Sequence, residues 1–295
     1  MKVLLNGQPI DRNQAVISAF DHGFLYGMGL FETFRTYGGR PWLLDRHAER
    51  LARGCSELGI RYEPDVARME SAVKELLAAN GLEDGYIRWS ISAGEGEIGL
   101  PAGEYGKPNE IVYAKELAPD DPVTRKGKTL RLLKLPRSTP EVGLRLKSFH
   151  YMNNIVAKRE LLASGASPGT EGLFLDGNGR VAEGMVSNVF WATKGRLYTP
   201  DAETGLLEGI TREYVIRMAG AAGQSVEEGL YRWGDLLNAD EVFVTNSIQE
   251  IVPVTTLENE FGEKRHPGGK TETGPLTSMF MTQYRAAAER KTKPC

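Results

Sequence analysis

Short runs of β-branched and aromatic residues, each ended by a tight-turn signal, recur along the chain, so much of its sheet must be assembled from hairpins. Asn6-Gly7 follows Val3–Leu5, and Gly38-Gly39 separates Phe31–Tyr37 from Pro41–Leu44. Gly177-Asn178-Gly179 follows Gly172–Asp176, and Lys194-Gly195 joins Asn188–Thr193 to Arg196–Tyr198. Asparagine and glycine tolerate the positive φ that short hairpin turns demand. Tyr86–Ser92, Glu110–Ala114, Thr129–Leu135 and Glu241–Thr245 read as further strands. Helical spacing of apolar residues appears at Leu44, Leu51, Cys55 and Leu58, and again after Pro64 at Val66, Met69, Val73, Leu76 and Leu77, with Gly81 as the stop. Asn153–Ser164, Thr211–Ala222 and Thr277–Arg290 read as helices, and the glycine-rich stretch Gly94–Gly106 as a mobile loop.

Hairpins and helices alternate without a regular βαβ rhythm, which favours two α+β domains over a doubly wound sheet. The composition changes at residues 117–126, where two prolines and two aspartates mark a linker. The expected organisation is a small N-terminal α+β domain over residues 1–116 and a larger C-terminal domain over 127–295.

Several function classes are disfavoured. The net charge is -3 with lysines and arginines scattered, which is no footprint for nucleic acid or an anionic membrane. Two cysteines, Cys55 and Cys295, cannot form a disulfide framework, and four widely spaced histidines make a metal site improbable. No run approaches the roughly 20 apolar residues that cross a bilayer, and a cytoplasmic enzyme is the expectation.

Taken singly, the residues that could carry chemistry are weak. Lys147 in GLRLKSFHYMNN stands between a strand-like run and a helix, ordinarily a solvated position. Glu183 in VAEGMVSNVF reads equally as a turn carboxylate. Gly209-Ile210-Thr211 opens a helix, as a plain N-cap or as an anion site, because free N–H groups and the helix dipole point outward there. Asn246-Ser247 ends a strand as a turn or a phosphate cradle. Together they are more specific. Pyridoxal phosphate (PLP) needs a lysine, a partner for its ring nitrogen, and donors for its phosphate, commonly including an arginine. The chain offers these in order, with Arg50 in DRHAERL.

The segments FDHGFLYGMGLFETFR, HAERL, RLKSFHYMNN, EGMVSNVFW, LEGITRE and TNSIQEIVPV resemble fold-type IV PLP enzymes: branched-chain and D-amino-acid aminotransferases and aminodeoxychorismate lyases. The resemblance spans nearly the whole chain. It implies a two-domain α+β fold like that of D-amino-acid aminotransferase, with PLP between the domains of a homodimer. It implies that Lys147 holds the cofactor covalently and Glu183 pairs with the ring nitrogen. Arg50, Ile210, Thr211 and Ser247 then bind phosphate, with Gly209 and Asn246 beside them.

Within the family, Arg88 in GYIRWSISAG and Phe31 stand where D-specific aminotransferases have tyrosines. The arginine–histidine pair that grips an α-carboxylate in those enzymes has no counterpart in GEIGLPAGEYGK. The segments around Phe20, Lys147 and Asn246 resemble bacillus-type 4-amino-4-deoxychorismate lyases. That likeness implies conversion of 4-amino-4-deoxychorismate to 4-aminobenzoate and pyruvate, a folate-pathway step. Arg88 is then expected at a substrate carboxylate and Thr33 at the leaving group, although each is also an ordinary strand residue. His150 or Tyr151 could face the site. Two alternatives stay open: an aminotransferase for D- or branched-chain amino acids with 2-oxoglutarate, and a non-catalytic binding protein of the same fold.

Overall fold

The turn at Asn6-Gly7 adopts positive φ at both residues, 50° and 77°, and joins β1 (Lys2–Leu5) to β2 (Gln8–Asp11). The computed structural model describes residues 1–117 and 120–292, which form two compact units. The first runs from Met1 through the N-terminal sheet and takes in Leu146–His150 and the chain from Ala288; the second comprises Asp120–Arg145 and Tyr151–Ala287.

The first unit continues with α1 (His22–Tyr26), β3 (Gly29–Tyr37), β4 (Arg40–Pro41), α2 (Leu44–Glu57), α3 (Val66–Ala79), β5 (Gly85–Ser92) and β6 (Asn109–Glu116). Its strands pair in the order β2-β1-β6-β5-β3-β4. One sheet face buries Leu30, Phe34, Ile87, Trp89 and Val112 against Ala48, Leu51 and Cys55 of α2 and Met69, Val73 and Leu76 of α3. Because side chains alternate along a strand, Phe31, Thr33 and Arg35 stand on the other face with Tyr86, Arg88 and Ser90, their ladder partners. The expected strand Pro41–Leu44 is shorter than its pattern suggested: Leu43 takes φ 54°, ending the strand and turning directly into α2. Asp65 caps α3 by accepting from the N–H groups of Ala67 and Arg68.

The short segment around Lys147 lies along the start of β3. The Phe31 N–H donates to the Lys147 carbonyl and the Phe149 N–H to the Gly29 carbonyl, both at 2.9 Å. Glycine is required at position 29, because a side chain there would strike the Phe149 ring.

The second unit comprises β7 (Lys128–Leu132), α4 (Met152–Ala163), β8 (Glu171–Leu175), β9 (Val181–Gly184), β10 (Asn188–Thr193), β11 (Arg196–Pro200), α5 (Ile210–Ala221), β12 (Val226–Gly229), α6 (Trp233–Leu237), β13 (Glu241–Asn246), β14 (Glu250–Glu258), β15 (Lys264–Arg265) and α7 (Pro275–Thr292). Its sheet runs β12-β11-β10-β13-β14-β7-β8-β9, with β15 on β14. β14 pairs with β7 in parallel, as do β7 with β8 and β11 with β12. The sheet is therefore mixed, and local turn signals cannot report its parallel pairings.

Strand β14 is unexpected from sequence because Pro253 interrupts it, and proline cannot donate to a ladder. It nevertheless lies between β13 and β7, with its register shifting just beyond the proline, between Val254 and Thr256. Within the expected linker, residues 118 and 119 lie outside the described residues. Arg125 is held against the second unit, donating to the Ile251 carbonyl at 2.5 Å and to Glu250 at 3.1 Å.

Candidate active site

In the first unit, Lys147 is placed by its backbone bond to β3, and its amine nitrogen lies 4.8 Å from the centroid of the Phe31 ring. The Arg88 guanidinium carbon lies 3.6 Å from the same centroid. Arg88 also donates from Nε to Ser90 Oγ at 3.2 Å and hydrogen-bonds Tyr86. It is therefore an oriented, half-buried cation sharing an aromatic ring with the lysine. Thr33 is the direct ladder partner of Arg88.

Arg50 reaches from α2 to a carboxylate that no motif singled out. Its Nε and one terminal nitrogen donate to Glu32 at 2.8 and 2.7 Å. His47 Nδ1 lies 2.7 Å from the same carboxylate, and the His47 and Glu32 side chains are each 1% exposed. Burial alone would raise the Glu32 carboxyl, but the charge and hydrogen bonds of Arg50, assisted by His47, hold it down to about 2. Burial pushes the His47 imidazole below its ordinary value despite the neighbouring carboxylate. The sequence did carry a signal. Glu32 falls between Leu30 and Phe34 on the apolar alternation of β3, and His47 between Leu44 and Ala48 on α2. A carboxylate at such a position requires a buried partner.

His150 does not stand free. Its Nε2 lies 3.2 Å from the Tyr26 carbonyl, and its ring occupies the space a side chain at Gly27 would need. Tyr151 occupies the N-cap position of α4 without a side-chain capping bond.

In the second unit, Glu183 is buried near the end of β9 and held at both oxygens. Arg137 Nε donates to Oε1 at 2.8 Å, and the Leu207 N–H donates to Oε2 at 3.0 Å. Arg137 is fixed in turn by Asn153 and Asn154 of α4, at 2.8 and 3.1 Å. Nothing in the run LPRSTP marks this arginine. The carboxylate is thus a rigid acceptor suited to a ring N–H.

Gly209 is the N-cap of α5, with no side-chain cap, so the first-turn N–H groups remain for an anion. A side chain at Gly209 would collide with Asn188 Oδ1. Ile210 and Thr211 form the first turn, both buried, and Thr211 Oγ lies 3.5 Å from Ser247 Oγ. Thr245, 1% exposed, has a buried hydroxyl without a hydrogen-bond partner. An uncapped helix start, two hydroxyls and an orphaned third suit a phosphate. Asn246 is otherwise engaged: its Oδ1 accepts from the N–H groups of Ile248 and Gln249 at 3.0 and 2.7 Å, closing the turn. Among the described residues, no cluster could hold a metal ion, and no helix is long and apolar enough to cross a membrane.

The model of the amino-transferase class IV family matches residues 29–257. An aminodeoxychorismate lyase of Bacillus subtilis (strain 168) is 45% identical over 288 residues, 96% of this chain and 93% of that protein. The crystal structure of 4-amino-4-deoxychorismate lyase from Pseudomonas aeruginosa superposes with a TM-score of 0.81 at 28% identity, covering 97% of this chain and 99% of that one. The branched-chain aminotransferase of Thermoproteus uzoniensis, solved with norvaline, gives 0.85 at 29% identity, covering 99% and 96%.

Proposed function

The chain belongs to the class IV amino-transferase family, and on that premise we propose that it is a lyase converting 4-amino-4-deoxychorismate to 4-aminobenzoate and pyruvate. The observation that carries the reading is the Phe31 ring, which has the Lys147 amine and the Arg88 guanidinium against it. A ligand amine brought to Lys147 therefore meets a carboxylate-binding cation one ring away. The 45% likeness to the Bacillus subtilis lyase supports the same choice.

The cofactor is pyridoxal 5′-phosphate, which when bound supplies an electron sink for the carbon that loses its proton. Lys147 is the residue that holds it. Glu183, locked by Arg137 and the Leu207 N–H, offers its carboxylate to the ring nitrogen. In the second unit the α5 N-terminus, Thr211 and Ser247 are the candidate phosphate donors; in the first, Arg50, whose orientation Glu32 fixes, is the candidate phosphate arginine.

In the reaction, Lys147 removes the ring proton from the carbon bearing the amine. The bond from the neighbouring ring carbon to the enolpyruvyl oxygen breaks, and its methylene carbon gains a proton, giving pyruvate. The Thr33 hydroxyl, opposite Arg88 in the ladder, is placed in this reading to assist that proton. Arg88 orients the substrate by one carboxylate, as a planar, permanently charged fork does well.

We read the molecule as a cytoplasmic homodimer of the folate pathway, with residues 1–116 and 127–295 as its two domains. Exposed Phe24, Ile98 and Leu100 in the first unit and Met152, Ile155 and Leu162 in the second are surface a second copy would cover. The likeness to the Thermoproteus uzoniensis aminotransferase favours one other reading, transamination. One experiment separates them: purified enzyme is given aminodeoxychorismate without a keto acid, and 4-aminobenzoate is measured by fluorescence. Formation at catalytic turnover supports the lyase. No product, with 2-oxoglutarate-dependent consumption of amino acids, identifies an aminotransferase.

A further inference from the structure

Glu250 opens β14 with φ 64°, a left-handed conformation that costs any residue with a side chain free energy and that glycine adopts without it. It pairs with Asn246 across the ladder, so residues 247–249 form a three-residue hairpin turn, whose left-handed position is ordinarily a glycine. Ser247, a candidate phosphate donor, stands in that turn. The turn is already closed by Asn246 Oδ1, which accepts from the N–H groups of Ile248 and Gln249, so the carboxylate serves something beyond it. The Glu250 side chain is fully buried, and its two oxygens go to different elements. Oε1 accepts from Arg285 Nε of α7 at 2.8 Å, and Oε2 accepts from Arg125 at 3.1 Å. Both arginines are held in turn. Arg125 donates to the Ile251 carbonyl and the Asp120 carboxylate, and Arg285 donates to the Asp120 carbonyl at 2.8 Å. The residue before Arg285, the buried Tyr284, has its hydroxyl 3.5 Å from Thr211 Oγ in the first turn of α5. One helix therefore touches both halves of the candidate phosphate cradle, the α5 start through Tyr284 and the Ser247 turn through Arg285 and Glu250.

We propose that Glu250 is a positioning residue for the cofactor phosphate: strained at its backbone and gripped at its side chain, it sets the turn so that the Ser247 hydroxyl stays beside Thr211 Oγ. Backbone strain persists only where the surroundings over-determine it, and two guanidinium groups on one buried carboxylate do so through charge-assisted hydrogen bonds. Without that carboxylate the turn relaxes and carries Ser247 with it, while the N–H groups of the α5 start stay where they are. Hydrogen bonds weaken steeply with misalignment, so a small displacement of the turn suffices to lose the Ser247 contact.

The proposal rests on the reading of Ser247 as a phosphate donor, and its test requires no turnover. The full-length chain, freed of cofactor, is titrated with pyridoxal 5′-phosphate and with pyridoxal, which lacks the phosphate, and binding is followed by quenching of protein fluorescence. The ratio of the two dissociation constants isolates what the phosphate contributes. Ser247→Ala should reduce this preference about tenfold, as for one hydrogen bond to a charged group. Glu250→Gln should reduce it by a similar factor with pyridoxal affinity little changed. Combined with Ser247→Ala it should add little, because the two act through one contact. Glu250→Gly removes the carboxylate while suiting the left-handed backbone. It should give the same loss, and it decides the matter should the glutamine variant not fold. A glycine variant that keeps the wild-type preference, or variants that weaken both ligands alike, overturn the role of Glu250 and leave Ser247 as a phosphate donor. An unchanged preference in Ser247→Ala overturns the reading of Ser247 itself, and the role of Glu250 with it.

Discussion

Glu32→Gln is the most informative single change to the first unit, because the carboxylate is buried and its interaction with Arg50 can be read as a pH dependence. Its carboxyl is held down from 4.5 to about 2 in the folded chain. At about 1.4 kcal/mol per unit, the shift corresponds to roughly 3 kcal/mol of stability at neutral pH. A depressed folded-state value stabilises above the unfolded-state value, and the contribution is lost as pH falls toward 2. Linkage places on the order of 1 kcal/mol of that loss between pH 7 and pH 3.5. The glutamine variant carries no titrating group at this position. Urea unfolding of cofactor-free wild type and Glu32→Gln, followed by fluorescence at both pH values, should therefore show the wild-type advantage narrowing by about that amount. A gap that stays constant, or widens toward acid, refutes the claim that Arg50 and His47 hold Glu32 ionised.

Other outcomes follow from the same geometry. Arg50→Ala should weaken cofactor retention about tenfold to a hundredfold, as expected for one charged hydrogen-bonding partner, and also destabilise the fold by leaving the buried Glu32 with His47 but no arginine beside it. Adding Glu32→Gln should restore stability but not retention, measured by urea titration and by cofactor dissociation. Lys147→Ala should lose the visible absorption band and the borohydride-reducible link to the cofactor; a variant that keeps the reducible link removes Lys147 from its role. Glu183→Gln should retain cofactor but lose most turnover, and near-normal turnover would show that the pairing with the ring nitrogen is wrong. Given substrate and no keto acid, a lyase should return to its starting spectrum after a single turnover, whereas an aminotransferase stays bleached until 2-oxoglutarate is added.

The parts legible in the sequence are those fixed by local chemistry. Asn6-Gly7 announces its turn because few residues accept positive φ twice in succession, and Asp65 marks the start of α3 because its side chain caps free N–H groups. The five-residue helix α1 carries too few apolar repeats to declare itself, and Pro253 hides β14. The family motifs single out Lys147, Glu183 and Arg50 as candidates, but say nothing of what holds them. Arg137 acts only through the fold, which brings it from a loop to β9 across 46 positions of sequence. Glu32 was readable in principle, as a charge on an apolar alternation, but only its position and not its partner was encoded locally.

The tripeptide Phe31-Glu32-Thr33 shows why this strand tolerates so little slippage. With a side-chain period of two, Glu32 is delivered to the helix face, where Arg50 and His47 meet it. Phe31 and Thr33 are delivered to the face that carries Arg88. A one-residue change of register would exchange the faces. It would turn the Arg35 charge toward the apolar helix face and the Glu32 carboxylate toward the face that carries Arg88. The strand is pinned against this at both edges, by seven consecutive ladder partners from β5 and by the bonds to Lys147 and Phe149. Arg50, Lys147 and Arg88, proposed above for phosphate, cofactor and substrate carboxylate, are therefore referenced to one rigid strand, the arrangement that allows a fixed distance between them to matter for chemistry.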